Sequence, residues 1–381
     1  AIDPIAQTAI VEPGVRNIAI SEAVSEFGLY YAPDPSSQIA CTIGGNVAEN
    51  SGGVHCLKYG LTVHNVIAIK MLTIDGEELL LHRDDDGLGL LALMNGSEGL
   101  LGVITEVTVK LTPKPAAVKL IMAGFEHVRD CANAISNIIK AGIIPAGLEM
   151  MDQFAIGAAE DFAHAGYPRD AQALLLCELD GDEFDVQQEL DKVLLLLANA
   201  SLIKVANNEQ ERLSLWQGRK SAFPAVGRLS PDYYCMDGTI PRRYLADVLE
   251  KISHLSLHYG LRVANVFHAG DGNLHPLILY DANVPDEQAK TEALGTEILK
   301  LCVDVGGSIT GEHGVGVEKL NAMCHQFLPA ELEIFHQIKA VFDPTALLNP
   351  GKAVPTLHRC AELGNMHVHN GELPHPHLER F

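Results

Sequence analysis

The sequence is short of positive charge. Its 381 residues carry 27 Lys and Arg against 49 Asp and Glu, a formal net charge of −22. Nucleic acid and anionic membrane surfaces are therefore excluded as direct partners, because both would be repelled. Long hydrophobic runs are lacking too. The best candidate, Val193–Ala198, is closed by Asn199 and bracketed by Lys192 and Lys204, so it reads as a buried helix and not as a membrane span. The eight cysteines (Cys41, Cys56, Cys131, Cys177, Cys235, Cys302, Cys324, Cys360) include no Cys-x-x-Cys. That excludes a local iron-sulfur or zinc-knuckle ligand set and leaves free thiols as the expectation. Aromatic residues make up 6% of the chain against 47% hydrophobic residues, the profile of a soluble, Gly- and Ala-rich enzyme.

The length exceeds what one compact core takes and implies two domains. Residues up to about Leu111 are rich in glycine and in short alternating runs such as Val103–Leu111. Thr112-Pro-Lys-Pro115 breaks regular structure and marks a boundary. Beyond it, strands are expected at Ala117–Phe125 and Ala171–Glu178. Helices are expected at Arg129–Ala141, Phe184–Ala198, from Pro241 to the Gly260 stop, and at Asp286–Val305. A hairpin inside this alternation favours an α+β fold, an antiparallel sheet covered by helices. The tail from Pro355 carries His358, His367, His369, His375 and His377 at irregular, proline-interrupted spacing, which reads as a solvated tail or a partner contact.

The densest chemistry lies in Phe267-His-Ala-Gly-Asp-Gly-Asn-Leu-His275 and Gly311-Glu-His-Gly314. Leu261–Phe267 and Leu274–Tyr280 read as strands, and the glycines between them permit a tight reversal that brings His268 and His275 together. Glu312 and His313 are adjacent, so in an extended segment they would point to opposite sides, one to a metal and the other to a substrate. Two imidazoles and a carboxylate suit zinc, manganese, iron or cobalt. Two glycine-rich stretches, Ile43–Gly53 and Gly96–Gly102, fit either ordinary turns of a β-rich domain or a cradle for a flat ring or pyrophosphate. Neither is a Gly-x-Gly-x-x-Gly opening a helix or a Walker loop, which disfavours a Rossmann or ATP site.

Ile43-Gly-Gly-Asn-Val-Ala-Glu-Asn-Ser-Gly-Gly53, Gly96-Ser-Glu-Gly99, the two histidine motifs and Asn349-Pro-Gly-Lys352 together resemble the FAD-linked 2-hydroxyacid dehydrogenases of the vanillyl-alcohol-oxidase-type flavoprotein superfamily. The likeness runs from Ala1 to Leu378-Glu-Arg-Phe381. It implies the C-terminal part of an FAD-binding domain in residues 1–115, a substrate and metal cap domain in 116–340, and a return to the flavin domain in 341–381. By the same resemblance, FAD would be lined by Pro35, Ser37, Thr42, Gly44, Gly45, Asn46, Ser51 and Gly53, with Glu98, Gly102, Val103, Ile104 and Asn349 further along. His268, His275 and Glu312 would hold a divalent metal (Zn, Mn or Fe), His313 would be the base, and Arg219 would anchor a substrate carboxylate.

The activity so implied is oxidation of a small 2-hydroxyacid, glycolate or D-lactate. Electrons would leave to a quinone or a partner subunit carrying iron-sulfur centres, in a complex at the inner face of the membrane, the chain itself being cytoplasmic. Cys235 stands where relatives that oxidise larger hydroxyacids carry a lysine, consistent with a small substrate. The family's first phosphate-binding loop, an N-terminal Arg/Gly-rich turn, is not in this sequence, which begins at Ala1 inside a strand and turn; an N-terminal portion is therefore expected to be missing. Two other classes stay open at this stage. A metal-dependent hydrolase or lyase would use the same His-His-Glu set, and a noncatalytic subunit would keep the metal site without FAD.

Overall fold

The computed structural model describes residues 1–355, so the histidines of the tail, Cys360 and the closing Leu378–Phe381 lie outside the described residues. Two larger antiparallel sheets form from consecutive parts of the chain. The first has five strands in the order Ile2–Asp3, Thr8–Val11, Val103–Lys110, Val66–Leu72, Glu78–His82. The second orders Leu202–Val205, Ala117–Phe125, Ala173–Gly181, Gly147–Asp152, Arg262–His268, Asn273–Tyr280 and Asp232–Cys235, with Gly238–Thr239 also pairing to Asn273–Tyr280. The expected break at Thr112–Pro115 is a switch between sheets. Thr112–Pro113 still pairs with Leu29–Tyr30, and the second sheet begins at Ala117.

Both faces of the second sheet are covered, which is why its strands read as near-continuous apolar runs. Alternate residues Ile121, Leu148, Met150, Leu175, Cys177, Phe267 and Ile278 join one core with helices Val128–Lys140, Glu183–Leu196, Leu245–Tyr259 and Glu287–Asp304, and that core continues under the first sheet. The opposite residues Leu120, Met122, Met151, Leu174, Leu176, Val266 and Leu277 pack against Gln153–Ala163, Glu209–Lys220 and Ala222–Val226. Helix limits follow local chemistry. Asp182 accepts from Phe184 N to open one helix, and Gly260 ends another in the left-handed region at φ 68°. The leucine run expected to be a buried helix is the amphipathic end of Glu183–Leu196, with Val193 buried and Leu195 78% exposed. No helix among the described residues is long and apolar enough to cross a membrane. Cys41, Cys56, Cys131, Cys177, Cys235 and Cys302 are free thiols, as expected, whereas Cys324 is disulfide-bonded.

Polar contacts join the first segment to the second sheet. His55 lies between two carboxylates, with Nδ1 2.9 Å from Asp34 and Nε2 3.0 Å from Glu178 on the strand Ala173–Gly181. Lys58 and Tyr59 both reach Asp180. The last helix among the described residues, Pro329–Phe342, returns to the first segment. Lys339 Nζ donates to Leu100 O at 2.7 Å, and Asn349 Nδ2 to Glu98 O at 2.5 Å.

Burial opposes a charged His55, but Asp34 and Glu178 outweigh it and raise the imidazole to about 10. The folded value lies above the ordinary 6.5, so the stability His55 contributes is full below about pH 6.5 and lost as pH rises through about 10. His55→Gln should be destabilised by about 2–4 kcal/mol at pH 6, and the gap to wild type in urea midpoint should close by pH 10.5. A gap independent of pH would refute the pairing.

Candidate active site

The strand register assembles the site. Arg262–His268 and Asn273–Tyr280 pair with Val266 opposite His275, so His268 and His275 share one face as diagonal neighbours. Their rings stand 5.0 Å apart at 88°. The turn between them requires glycine, because Gly272 has φ 85° and a Cβ there would lie 2.2 Å from Ile240 O. On the other side His268 is the direct partner of Glu149 in Gly147–Asp152, and its Nδ1 donates to Glu149 Oε1 at 2.8 Å.

The segment Gly311–His313 is a bend, so the expectation of opposed side chains in an extended segment does not hold. Asp237, fully buried, organises the bend by accepting from Thr310 Oγ1 and from the backbone N–H groups of Gly311, Glu312 and His313, with Lys319 Nζ at 3.0 Å balancing its charge. As a result Glu312 and His313 arrive at the same place. Glu312 Oε1 lies 3.0 Å from His275 Nε2 and 3.3 Å from His268 Nε2. The His313 ring stacks on His275 at 5.0 Å and 6°, with Nε2 3.9 Å from Glu312 Oε1.

The ligand atoms of His268, His275 and Glu312 lie within 4.8 Å of one another. Two Nε2 atoms converge on one carboxylate oxygen, and the far nitrogen of His268 is held by a second carboxylate. This donor set and backing fit a borderline divalent cation. His275 Nδ1 is buried without a hydrogen-bond partner and faces Asp237 Oδ1 at 3.9 Å. Asp237, His275 and His313 form a second grouping with ligand spacing. Burial pushes the Glu312 carboxyl up, but hydrogen bonds from His268 and His275 outweigh it and hold it well below its usual range. Burial likewise opposes a charged His268, yet Glu149 raises it well above 6.5. His313, although its side chain is 43% exposed, has an imidazole lowered first by partial desolvation, which keeps it neutral and proton-accepting near pH 7.

Arg219 sits on the helix Glu209–Lys220, which is pinned by Trp216 Nε1 donating to Glu178 at 2.5 Å. It is 1% exposed, with Nη2 2.5 Å from Glu149 Oε2 in ion-pair contact, while Nε, Nη1 and Nη2 all have no hydrogen-bond partner. Buried guanidinium N–H groups without acceptors are costly, so they point to an anionic ligand.

The glycine-rich residues divide. The Ser51–Gly53 turn reaches the histidines: Gly52 N donates to Glu312 Oε2 at 3.0 Å. Gly53 lies against the backbone of Asp34 and Pro35, and Ser51 Oγ donates to Asn46 Oδ1 at 3.4 Å. Thr42 precedes the helix Ile43–Glu49, where Gly44 packs on Pro13 and Gly45 is exposed. Asn46 Nδ2 and Glu49 Oε2 on that helix are buried without partners, and burial with the nearby Glu98 raises Glu49 to about 7. Orphaned polar atoms beside an open glycine backbone fit a polar cofactor such as FAD.

Ser37 is exposed in its turn. The residues along the second glycine turn have structural settings of their own. The Glu98 carboxylate accepts from Val315 N and Gly316 N and so holds a loop. Gly102 is bare because a Cβ would lie 2.1 Å from Met71 Cε. Val103 and Ile104 open the strand Val103–Lys110, with Val103 53% exposed. Glu149, Asp237 and Lys319 were not foreseen. Only Glu149 left a signal, a lone carboxylate amid the apolar residues of Gly147-Leu-Glu-Met-Met151.

The family model for FAD linked oxidases, C-terminal domain, matches residues 114–353, and the FAD binding domain model matches residues 1–81. The chain is 64% identical over 385 positions to the glycolate oxidase subunit GlcD of Escherichia coli strain K12, covering 100% of this chain and 77% of that protein. It is 31% identical to a D-lactate dehydrogenase of Anaerostipes hadrus, covering 90% of this chain and 75% of that one. Among solved structures, 4-ethylphenol oxidase from Gulosibacter chungangensis superposes with a TM-score of 0.73 at 17% identity, covering 94% and 79% of the two chains; this likeness is one of fold.

A Cβ on Gly52 would lie 2.6 Å from Glu312 Oε2. Gly52→Ala should therefore displace that carboxylate, weakening Zn2+ or Mn2+ binding by on the order of 10-fold while Tm falls by only a few degrees. Calorimetric titration with the metal checks this, and unchanged affinity would contradict the contact.

Proposed function

The chain belongs to the FAD-linked oxidases, and from that membership we propose that it oxidises glycolate to glyoxylate, with D-lactate as a second substrate, at the site built by His268, His275, Glu312, His313 and Arg219. The observation that carries this reading is the convergence of His268 Nε2 and His275 Nε2 on one oxygen of Glu312, beside a buried arginine with unpartnered N–H groups. Relatives named for glycolate and D-lactate oxidation set the substrate class. A hydrolase or lyase would leave the flavin-type glycine helix and its orphaned polar atoms without a purpose.

Arg219 offers Nε and Nη1 to the substrate carboxylate as a charge-assisted pair, which orients the 2-carbon. His268, His275 and Glu312 would hold a divalent cation, which when bound supplies a Lewis acid that lowers the pKa of the 2-hydroxyl. Pro35, Thr42, Gly44, Gly45, Asn46, Ser51 and Gly53 would line FAD, which when bound supplies the hydride acceptor. His313 Nε2, on an imidazole lowered from its ordinary value, takes the hydroxyl proton. Asp237 fixes the backbone that presents His313, and Phe223 stands edge-on to His275 at 5.9 Å. Oxidation releases two electrons, and the chain has no Cys-x-x-Cys to receive them. We assign that step to an iron-sulfur partner subunit or a quinone, in keeping with the E. coli relative's name as a subunit. The same complex would hold the chain at the inner face of the membrane.

Anaerobic titration of the FAD-loaded protein with glycolate and then D-lactate should bleach the flavin absorbance bands, glycolate at the lower concentration. Absence of bleaching with both acids would overturn the reading. His313→Ala should retain FAD but reduce it at least about 100-fold more slowly, and wild-type reduction in that variant would remove His313 from the base role.

A further inference from the structure

Glu149 is a carboxylate in the middle strand of a sheet covered on both faces, and neither of its oxygens faces solvent. Its oxygens serve two different arms of the site. Oε1 accepts from His268 Nδ1 at 2.8 Å, and Oε2 lies 2.5 Å from Arg219 Nη2. His268 and Glu149 are direct cross-strand partners, so the first contact is built into the sheet register. The second is set by the helix Glu209–Lys220, which Trp216 and Arg212 fasten to Glu178 on the neighbouring strand. His268 approaches as an N–H donor and Arg219 as an ion-pair partner; a carboxylate offers a negatively charged acceptor oxygen on both sides where an amide offers only one, uncharged.

We propose that Glu149 is a positioning residue whose two acceptor oxygens hold His268 in the tautomer that leaves Nε2 free to ligate a cation, while keeping Arg219 beside it. This rests on His268 being a cation ligand. With glutamine at this position the amide oxygen turns to the permanently charged Arg219, and the amide NH2 is left facing His268 Nδ1. That nitrogen must then act as acceptor, the proton moves to Nε2, and Nε2 no longer ligates.

The role is testable by metal binding alone. Full-length protein stripped with a chelator is titrated with Mn2+, and free Mn2+ is followed by electron paramagnetic resonance. Glu149→Gln should raise the Kd by about 10- to 100-fold. The double variant Glu149→Gln/Arg219→Met removes the competing donor, so the amide oxygen is free to turn to His268 and the Kd should return to within about 3-fold of wild type. The double variant also replaces a buried ion pair by neutral groups, so it remains informative if the single variant does not fold. A folded Glu149→Gln with wild-type affinity, or a double variant as weak as His268→Ala, overturns the role of Glu149. A wild-type chain that binds Mn2+ no better than His268→Ala overturns the cation reading itself, and the inference with it.

Discussion

The sharing of Glu149 between His268 and Arg219 is the interaction on which the rest of the site depends. An ionised carboxylate inside an apolar sheet costs several kcal/mol unless it is paired and hydrogen-bonded. Burial pushes the Glu149 carboxyl up, and His268 and Arg219 bring it below its usual range. The arrangement is reciprocal, since Arg219 and His268 are themselves almost wholly buried. Removing any member leaves the others uncompensated, so histidine, arginine and carboxylate are held as a unit by the same strand and helix packing that forms the core.

Asp237 plays the corresponding part on the other side. Its fully buried carboxylate gathers the backbone N–H groups of Gly311, Glu312 and His313, and Lys319 supplies the balancing charge. Burial again opposes the charge, and Lys319 with the neighbouring imidazoles holds Asp237 at about 2. Glu312 is then placed from two directions: by Asp237 through its backbone and by Gly52 N through its side chain. The second contact ties the candidate flavin turn to the candidate cation site, so movement of either is felt by the other. His55 and its two carboxylates, together with Lys58 and Tyr59 on Asp180, secure the same seam further out.

Much of this was legible in the residues. The 267–275 hairpin, the strand Ala117–Phe125 and the helix stopped at Gly260 depend on local periodicity and glycine stereochemistry, and those are properties of short stretches of chain. The grouping of His268, His275 and Glu312 was legible for the same reason, apart from the contact that closes it. The bend at Gly311–His313 was not, because its geometry comes from Asp237, far away in the chain. Nor were the neighbours of Glu98 and Gly102, the 315–316 backbone and Met71, because they come from other elements.

The sequence by itself determined the family resemblance, carried by the glycine stretches and the histidine motifs, and left a hydrolase and a noncatalytic subunit open beside it. Only the tertiary structure decided how that chemistry is held. A buried charge is stabilised by whatever partner the fold brings within hydrogen-bond reach, and Glu149 meets Arg219, and Asp237 meets Lys319, across separations that no local pattern encodes.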